Sequence, residues 1–117
     1  MRVTVLGCGA SWGVPALGPD WGRCDPNEPR NRRRRCSLLV ESRDAVLLID
    51  TAPDLREQLL DAGASRIDAV LLTHAHADHL HGIDDLRMVN RLTGNPIPLF
   101  ADAETLAEVE RRFGYAL

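Results

Sequence analysis

The stretch "LLTHAHADHLHG", residues 71–82, holds all four histidines of the chain, His74, His76, His79 and His81, with Asp78 among them. A histidine standing alone is usually core packing or a solvated surface residue. Four gathered around a carboxylate point to a shared task. Within the stretch lies the pattern H-x-H-x-D-H, placed directly after "AVLLT", residues 69–73, which reads as the end of a buried strand. Strands project alternate side chains to one side, so His74 and His76 are expected to face one pocket and meet one metal ion. Asp78 and His79 follow where the backbone must turn, and their side chains are expected to reach a second ion. A chance match, from the chain's own His and Asp frequencies, is on the order of 10⁻⁴, which sets the solvated-turn alternative aside. Imidazole nitrogen with one carboxylate suits zinc, with manganese or iron as alternatives; an oxygen-only set would have pointed to Mg²⁺ or Ca²⁺.

Outward from the cluster, the chain reads as alternating strands and helices. "RVTVLG", 2–7, is an apolar, β-branched strand running into a glycine turn. Residues 7–35 are rich in Gly, Pro, Asn and Asp, too long for an idle connection, and are expected to form a loop over the site. "SLLVES", 37–42, and "AVLLID", 45–50, form a hairpin about Arg43 and Asp44. An amphipathic helix over 53–63 has Pro53 in its first turn and Gly63 as its stop. A strand at 67–73, a short helix ending near Gly94, a strand at 97–101 and a helix at 103–114 complete the series. This alternation predicts a single α/β domain over 1–117 with a mixed sheet and flanking helices.

Composition bounds the partners. Fourteen basic and 17 acidic residues give a net charge of −3, so nothing global advertises nucleic-acid binding. The longest apolar runs fall far short of the roughly 20 residues that cross a bilayer, so no membrane is expected. Three widely spaced cysteines and no secretory apolar region favour a reducing cytoplasm.

"THAHADH", 73–79, resembles the signature metal motif of the metallo-β-lactamase-fold hydrolases. "LGCGASWGVP", 6–15, "CDPNEPRNRRRRCSLLVE", 24–41, and "LLIDTAPDLREQLL", 47–60, are similar to the branch containing the cyclic-phosphate phosphodiesterase of carbon–phosphorus lyase pathways, a near relative of ribonuclease Z. The resemblance implies an αββα sandwich, of which this chain looks like the N-terminal half, with a dinuclear metal site at one edge. It implies two divalent ions, His74 and His76 on the first, Asp78 and His79 on the second, with Asp78 counted as the catalytic residue. Asp50 matches a family position beside the site, where it would orient a ligand by hydrogen bond; the alternative is a cap for the helix at 53–62. Family members use further ligands later in the chain, yet no histidine follows His81, and Asp102 suits a helix cap. Cys24 alone in the early loop argues against a cysteine-rich structural zinc site there, and Cys36 reads as a small buried residue.

Among the remaining candidates, Ser11 in "GCGASWG" could donate to a phosphate oxygen. In "RNRRRR", 30–35, the alternatives are a solvated basic loop and a phosphate grip by Arg34 and Arg35. His81 faces away from His79 on a helix and is read as a rim residue or proton donor. The expected activity is metal-dependent hydrolysis of a small or cyclic phosphate ester. The alternatives are a ribonuclease processing tRNA 3′ ends, with RNA as substrate, and an inactive metal-binding fragment packed on a partner segment. A homodimer is left open.

Overall fold

The hairpin about Arg43 and Asp44 is closed by one side chain, since Ser42 Oγ accepts from the backbone N–H groups of Asp44 and Ala45. The computed structural model describes residues 1–117 and builds on that hairpin a five-stranded sheet in the order β1-β2-β3-β4-β5. The strands are β1 (Arg2–Gly7), β2 (Ser37–Glu41), β3 (Val46–Ile49), β4 (Ala69–Leu71) and β5 (Leu99–Phe100). The first three pair antiparallel; β3–β4 and β4–β5 are parallel, with helices in the crossovers. The helices are α1 (Leu55–Ala62), α2 (Ala77–Leu80), α3 (Leu86–Thr93) and α4 (Ala103–Phe113). No helix is long and apolar enough to cross a membrane.

Register explains why both faces of the sheet are apolar. One row across the five strands reads Thr4, Leu39, Leu48, Val70 and Leu99. Leu39, Leu48 and Val70 are fully buried in a cluster to which every helix contributes: Leu55 and Leu59, Leu80, Leu86 and Val89, and Val109. The neighbouring row reads Val5, Leu38, Ile49, Leu71 and Phe100, and of these Val5, Leu71 and Phe100 are exposed. Strands apolar on both faces belong to sheets covered on both sides. These 117 residues supply one sheet and one helical layer of the expected four-layer sandwich.

Element boundaries are tighter than the sequence predicts. The 67–73 strand shrinks to Ala69–Leu71 because Thr73 N leaves the ladder and donates to Asp50 Oδ1. Helix α1 begins at Leu55, after Pro53, and ends at Gly63, whose φ of 64° no β-carbon would favour. The short helix expected to end near Gly94 is α3, with Gly94 as its C-terminal stop. α2, a 3₁₀ turn and α3 follow in series, broken at Gly82, where a Cβ would stand 2.0 Å from the Ala52 carbonyl oxygen. Only glycine lets this backbone cross that one, and Gly82 N donates to Thr51 O at 2.8 Å there.

The loop after β1 is an excursion whose limbs pair with each other. Gly9 N donates to Arg34 O, and Val14 and Arg33 exchange both backbone bonds. Arg35 ties it to α1: its backbone N, Nε and Nη2 all donate to the Asp54 carboxylate, at 2.9, 2.7 and 2.9 Å. Asp54 precedes α1 yet caps no helical N–H, because its oxygens are spent on Arg35. Burial pushes the Asp54 carboxyl up, but the Arg35 hydrogen bonds and charge outweigh it and hold it below its ordinary value.

Two outcomes follow. Gly82→Ala should cost about 1–3 kcal/mol by overpacking, read from urea denaturation, and wild-type stability in that variant would refute the backbone crossing. A lowered folded-state pKa gives stability that is present above the unfolded value near 3.9 and lost as pH falls through the folded one. Asp54→Asn should therefore be least stable relative to wild type at neutral pH, with the gap closing below about pH 4. A gap independent of pH would show that the pair contributes through shape alone.

Candidate metal centre

Asp50 stands at the exit of β3 with φ 61°, a left-handed backbone in a non-glycine residue, and is 4% exposed. Ser37 Oγ holds that strained turn by donating to Asp50 O at 2.8 Å. The turn aims the carboxylate across the end of β4. Oδ1 accepts from Thr73 N at 2.8 Å, Thr73 Oγ1 lies 2.8 Å from Oδ2, and His79 Nδ1 lies 2.7 Å from the same oxygen. The adjoining residue secures the rest: Thr51 N donates to His79 O at 2.8 Å and Thr51 Oγ1 to Leu80 O at 3.0 Å. Thus β3 fixes both the loop at 73–76 and α2.

Hydrogen-bond arithmetic then assigns the protons. A carboxylate only accepts, so His79 Nδ1 carries a proton and donates it to Asp50. The Thr73 hydroxyl has one proton and gives it to Asp50; its oxygen, 2.9 Å from His74 Nδ1, must therefore accept from that nitrogen. A ring that carries a single proton here has it on Nδ1, which leaves Nε2 as its metal-binding nitrogen. This is the tautomer a metal ligand needs, set by partners on the far nitrogen. The rings are gathered, with centroids 4.6 Å apart for His74 and His76 and 4.2 Å for His74 and His79.

Asp78 Oδ2 lies 3.5 Å from His79 Nε2. Two ligands of one tetrahedral ion at about 2.0–2.1 Å stand about 3.3–3.4 Å apart, so this pair suits a shared ion. Burial pushes the Asp78 carboxyl up, while its own backbone N–H, the Ser11 hydroxyl, His79 and His74 pull it down, leaving it below its ordinary value. No three His, Cys, Asp or Glu side chains converge closely enough to close a coordination sphere alone. The residues present thus fit divalent metal as pairs that further donors would complete.

The other sequence candidates separate. Ser11 reaches Asp78. His81 ends α2 and turns its ring onto Phe113, edge-on at 5.5 Å, away from the cluster. Arg34 pairs with Asp61, and Arg35 spends its guanidinium fork on Asp54, so a free two-pronged phosphate grip is not what either presents. Asp50 caps no helix; its carboxylate serves Thr73 and His79 instead. The strand argument for His74 and His76 needs correcting, since β4 ends at Leu71 and both lie in the extended stretch beyond it. Asp102 is the expected cap, accepting from Thr105 N at 2.7 Å.

Sequence reasoning missed two residues. Thr73 relays the Asp50 proton order to His74, and its only sequence signal is its place between strand and cluster. Arg112 on α4 donates from Nη2 to Ala75 O, the carbonyl between His74 and His76, at 2.5 Å, with Glu108 beside its Nε at 3.2 Å. A cleft of about 490 Å³ opens there, lined by His74, His76, Glu104, Glu108 and Arg112.

Residues 46–117 match the model of the beta-lactamase superfamily domain, a span that holds Asp50, Thr73 and the whole histidine cluster. An octanoyltransferase of Porphyromonas gingivalis is 40% identical over 117 residues, 98% of this chain and 23% of that protein. A diphosphatase from the PhnP family superposes with a TM-score of 0.88 at 44% identity, over 97% of this chain and 46% of that one. Zn²⁺-bound PqqB from Methylobacterium extorquens superposes with a TM-score of 0.75 at 28% identity, over 96% and 40%. The chain spans less than half the length of each of these proteins. With the family model matched over residues 46–117 and the superposition on the PhnP-family structure, the chain belongs to the beta-lactamase superfamily domain family and has the metallo-β-lactamase fold.

Proposed function

We propose that this chain carries the metal-binding half of a metal-dependent hydrolase acting on a small phosphodiester or diphosphate, with two divalent ions, zinc first among them. The observation that carries the reading is the hydrogen-bond chain from Asp50 through Thr73 and His79, which leaves Nε2 of His74 and His79 free. His74 and His76 would hold one ion, Asp78 and His79 the other. The similarity to a protein named as a diphosphatase favours attack at a phosphorus atom whose leaving group departs through oxygen, as in diphosphates and phosphodiesters alike. The similarity to a Zn²⁺-bound structure supports zinc.

Divalent metal, when bound, lowers the pKa of a coordinated water and polarises the phosphoryl oxygen under attack. The chain's own residues do the rest. Asp50 keeps the Nδ1 proton of His79 in place and so holds its ring orientation. The Ser11 hydroxyl beside Asp78 favours the charged form of the carboxylate proposed to serve both ion and reaction. Arg112 anchors Ala75 and with it the spacing of His74 and His76. Arg32 and Arg33, like Arg23 in the same loop, have no carboxylate in ion-pair contact and are the cations of the basic run left for an anionic substrate.

The test uses the purified full-length gene product. Elemental analysis should find about two ions per chain, and bis(p-nitrophenyl) phosphate or a dinucleoside diphosphate should be hydrolysed. His76→Ala should lose metal and activity together. Unchanged metal content in that variant would refute the ligand assignment, and cleavage confined to tRNA 3′ extensions would turn the reading to a ribonuclease. Metal bound without turnover of any of these would leave the inactive-fragment reading.

A second outcome separates orientation from ligation. Asp50→Asn keeps the shape but lets the side-chain amide donate, scrambling the protons of Thr73 and His79. Zinc affinity should fall about 10–100-fold, as for lost outer partners of ligating histidines, measured by competition with a chromogenic chelator. Wild-type affinity would show that Asp50 has no part in ordering the site.

A further inference from the structure

Two of the three free thiols stand across from each other where the β1–β2 pairing ends. Gly7 pairs antiparallel with Ser37 and Gly9 forms an isolated parallel bridge with Arg35, so Cys8 and Cys36 each lie between the two paired positions. The backbone is drawn tight around them: Gly9 N donates to Arg34 O at 2.7 Å, and Cys36 Sγ donates to Gly9 O at 3.5 Å. Residues directly opposite in antiparallel strands have Cα atoms about 4.5–5.5 Å apart. A disulfide takes Cα separations of about 4.4–6.8 Å. The paired positions on either side, and the contact of Cys36 Sγ with Gly9 O, hold the two cysteines as near neighbours.

The two thiols differ in access. Cys8 is exposed, and Arg33 Nη1 donates to its Sγ at 3.6 Å. Cys36 is half-buried, and burial, with Cys8, Asp78 and Asp50 adding to it, pushes its thiol up. An oxidant from solvent therefore meets Cys8 first and finds Cys36 held behind it. Cys24, in the exposed part of the loop, stands apart from the pair.

We infer that Cys8 and Cys36 are a reversible disulfide site, oxidised by hydroperoxides, that fastens the two ends of the loop carrying Ser11. A hydroperoxide ROOH converts the Cys8 thiol to a sulfenic acid, its O–O bond breaking to release ROH. The Cys36 sulfur then attacks the Cys8 sulfur, the S–O bond breaks, and water departs with the Cys36 proton. Two thiols have lost two protons and two electrons, and the peroxide has taken them up. The bond closes residues 8–36 into a ring, cutting the freedom of the unfolded chain and holding the loop in its folded path. This inference stands apart from the metal assignment, because no ligand named above takes part.

The test is disulfide mapping. Purified protein is treated with hydrogen peroxide, free thiols are alkylated, and the chain is digested without reduction for mass spectrometry. A peptide joining Cys8 to Cys36 is expected, with Cys24 alkylated, a Tm higher by several degrees, and reversal of both by dithiothreitol. Cys24→Ser should leave the crosslink intact. Cys36→Ser, nearly isosteric, should fold, stop at oxidised Cys8 and show no rise in Tm. Both cysteines recovered alkylated, a link to Cys24, or oxidation of Cys8 to sulfinic acid with Cys36 free would each overturn the assignment.

Discussion

The Asp50 carboxylate orders the whole end of the sheet at which the histidines gather. It is buried, and it sits on a backbone whose positive φ costs an ordinary residue roughly 1–2 kcal/mol. Such strain persists only where surrounding structure over-determines it. Here the surroundings are specific: Ser37 below the turn, Thr73 at two atoms, and His79 from α2. Without the left-handed turn the carboxylate would continue along the strand direction. Strand β4 would then run on past Leu71, and His74 would lose the relay that frees its Nε2. One conformation at one residue thus ends a strand, shapes a loop and decides two tautomers.

A second constraint works on the backbone alone. Thr51 and Gly82 bind the start of the β3–α1 connection to the segment after α2, with Gly82 close enough to Ala52 to exclude any side chain. A four-residue helix such as α2 cannot be stable by itself. It persists because Thr51 binds both His79 O and Leu80 O, and because Leu80 is sealed in the core. The same packing that folds the helix places Asp78 and His79 on its half-buried first turn. Stability and site are therefore one structure here, and a change that loosens Leu80 would displace His79.

What was legible in the sequence is what local periodicity and punctuation encode. Every strand and both longer crossover helices were readable from apolar runs and from Gly63 and Gly94, whose left-handed conformations end α1 and α3. Asp102 was readable as a cap because capping is a contact three residues long. The histidine cluster was readable from composition in one window. The α2 turn was not, since four residues carry no period. Asp54 was hidden for a different reason: its position marks a helix start, but Arg35, distant in sequence, takes its oxygens. Thr73 and Arg112 were equally invisible, because each acts through a contact made only by the folded sheet or by α4 against the loop. The apolar outer row from Val5 to Phe100 was read as strand without revealing that the helices leave that face open.

The charges around the cluster are unevenly arranged, and this bears on how a phosphate would meet the proposed ions. On the α4 side the cleft carries Asp102, Glu104 and Glu108, with Arg112 turned inward onto Ala75 and Glu108. On the loop side Arg32 lies over the Trp21 ring and Arg33 reaches Cys8, neither in ion-pair contact with a carboxylate, while Arg34 and Arg35 are balanced by Asp61 and Asp54. An anion approaching along α4 meets like charge. The loop presents two guanidinium groups outside any ion pair, and the Ser11 hydroxyl stands beside Asp78. The basic run at 32–35 is therefore divided: its second half pins α1 through Asp61 and Asp54, and its first half leaves two guanidinium groups outside any ion pair.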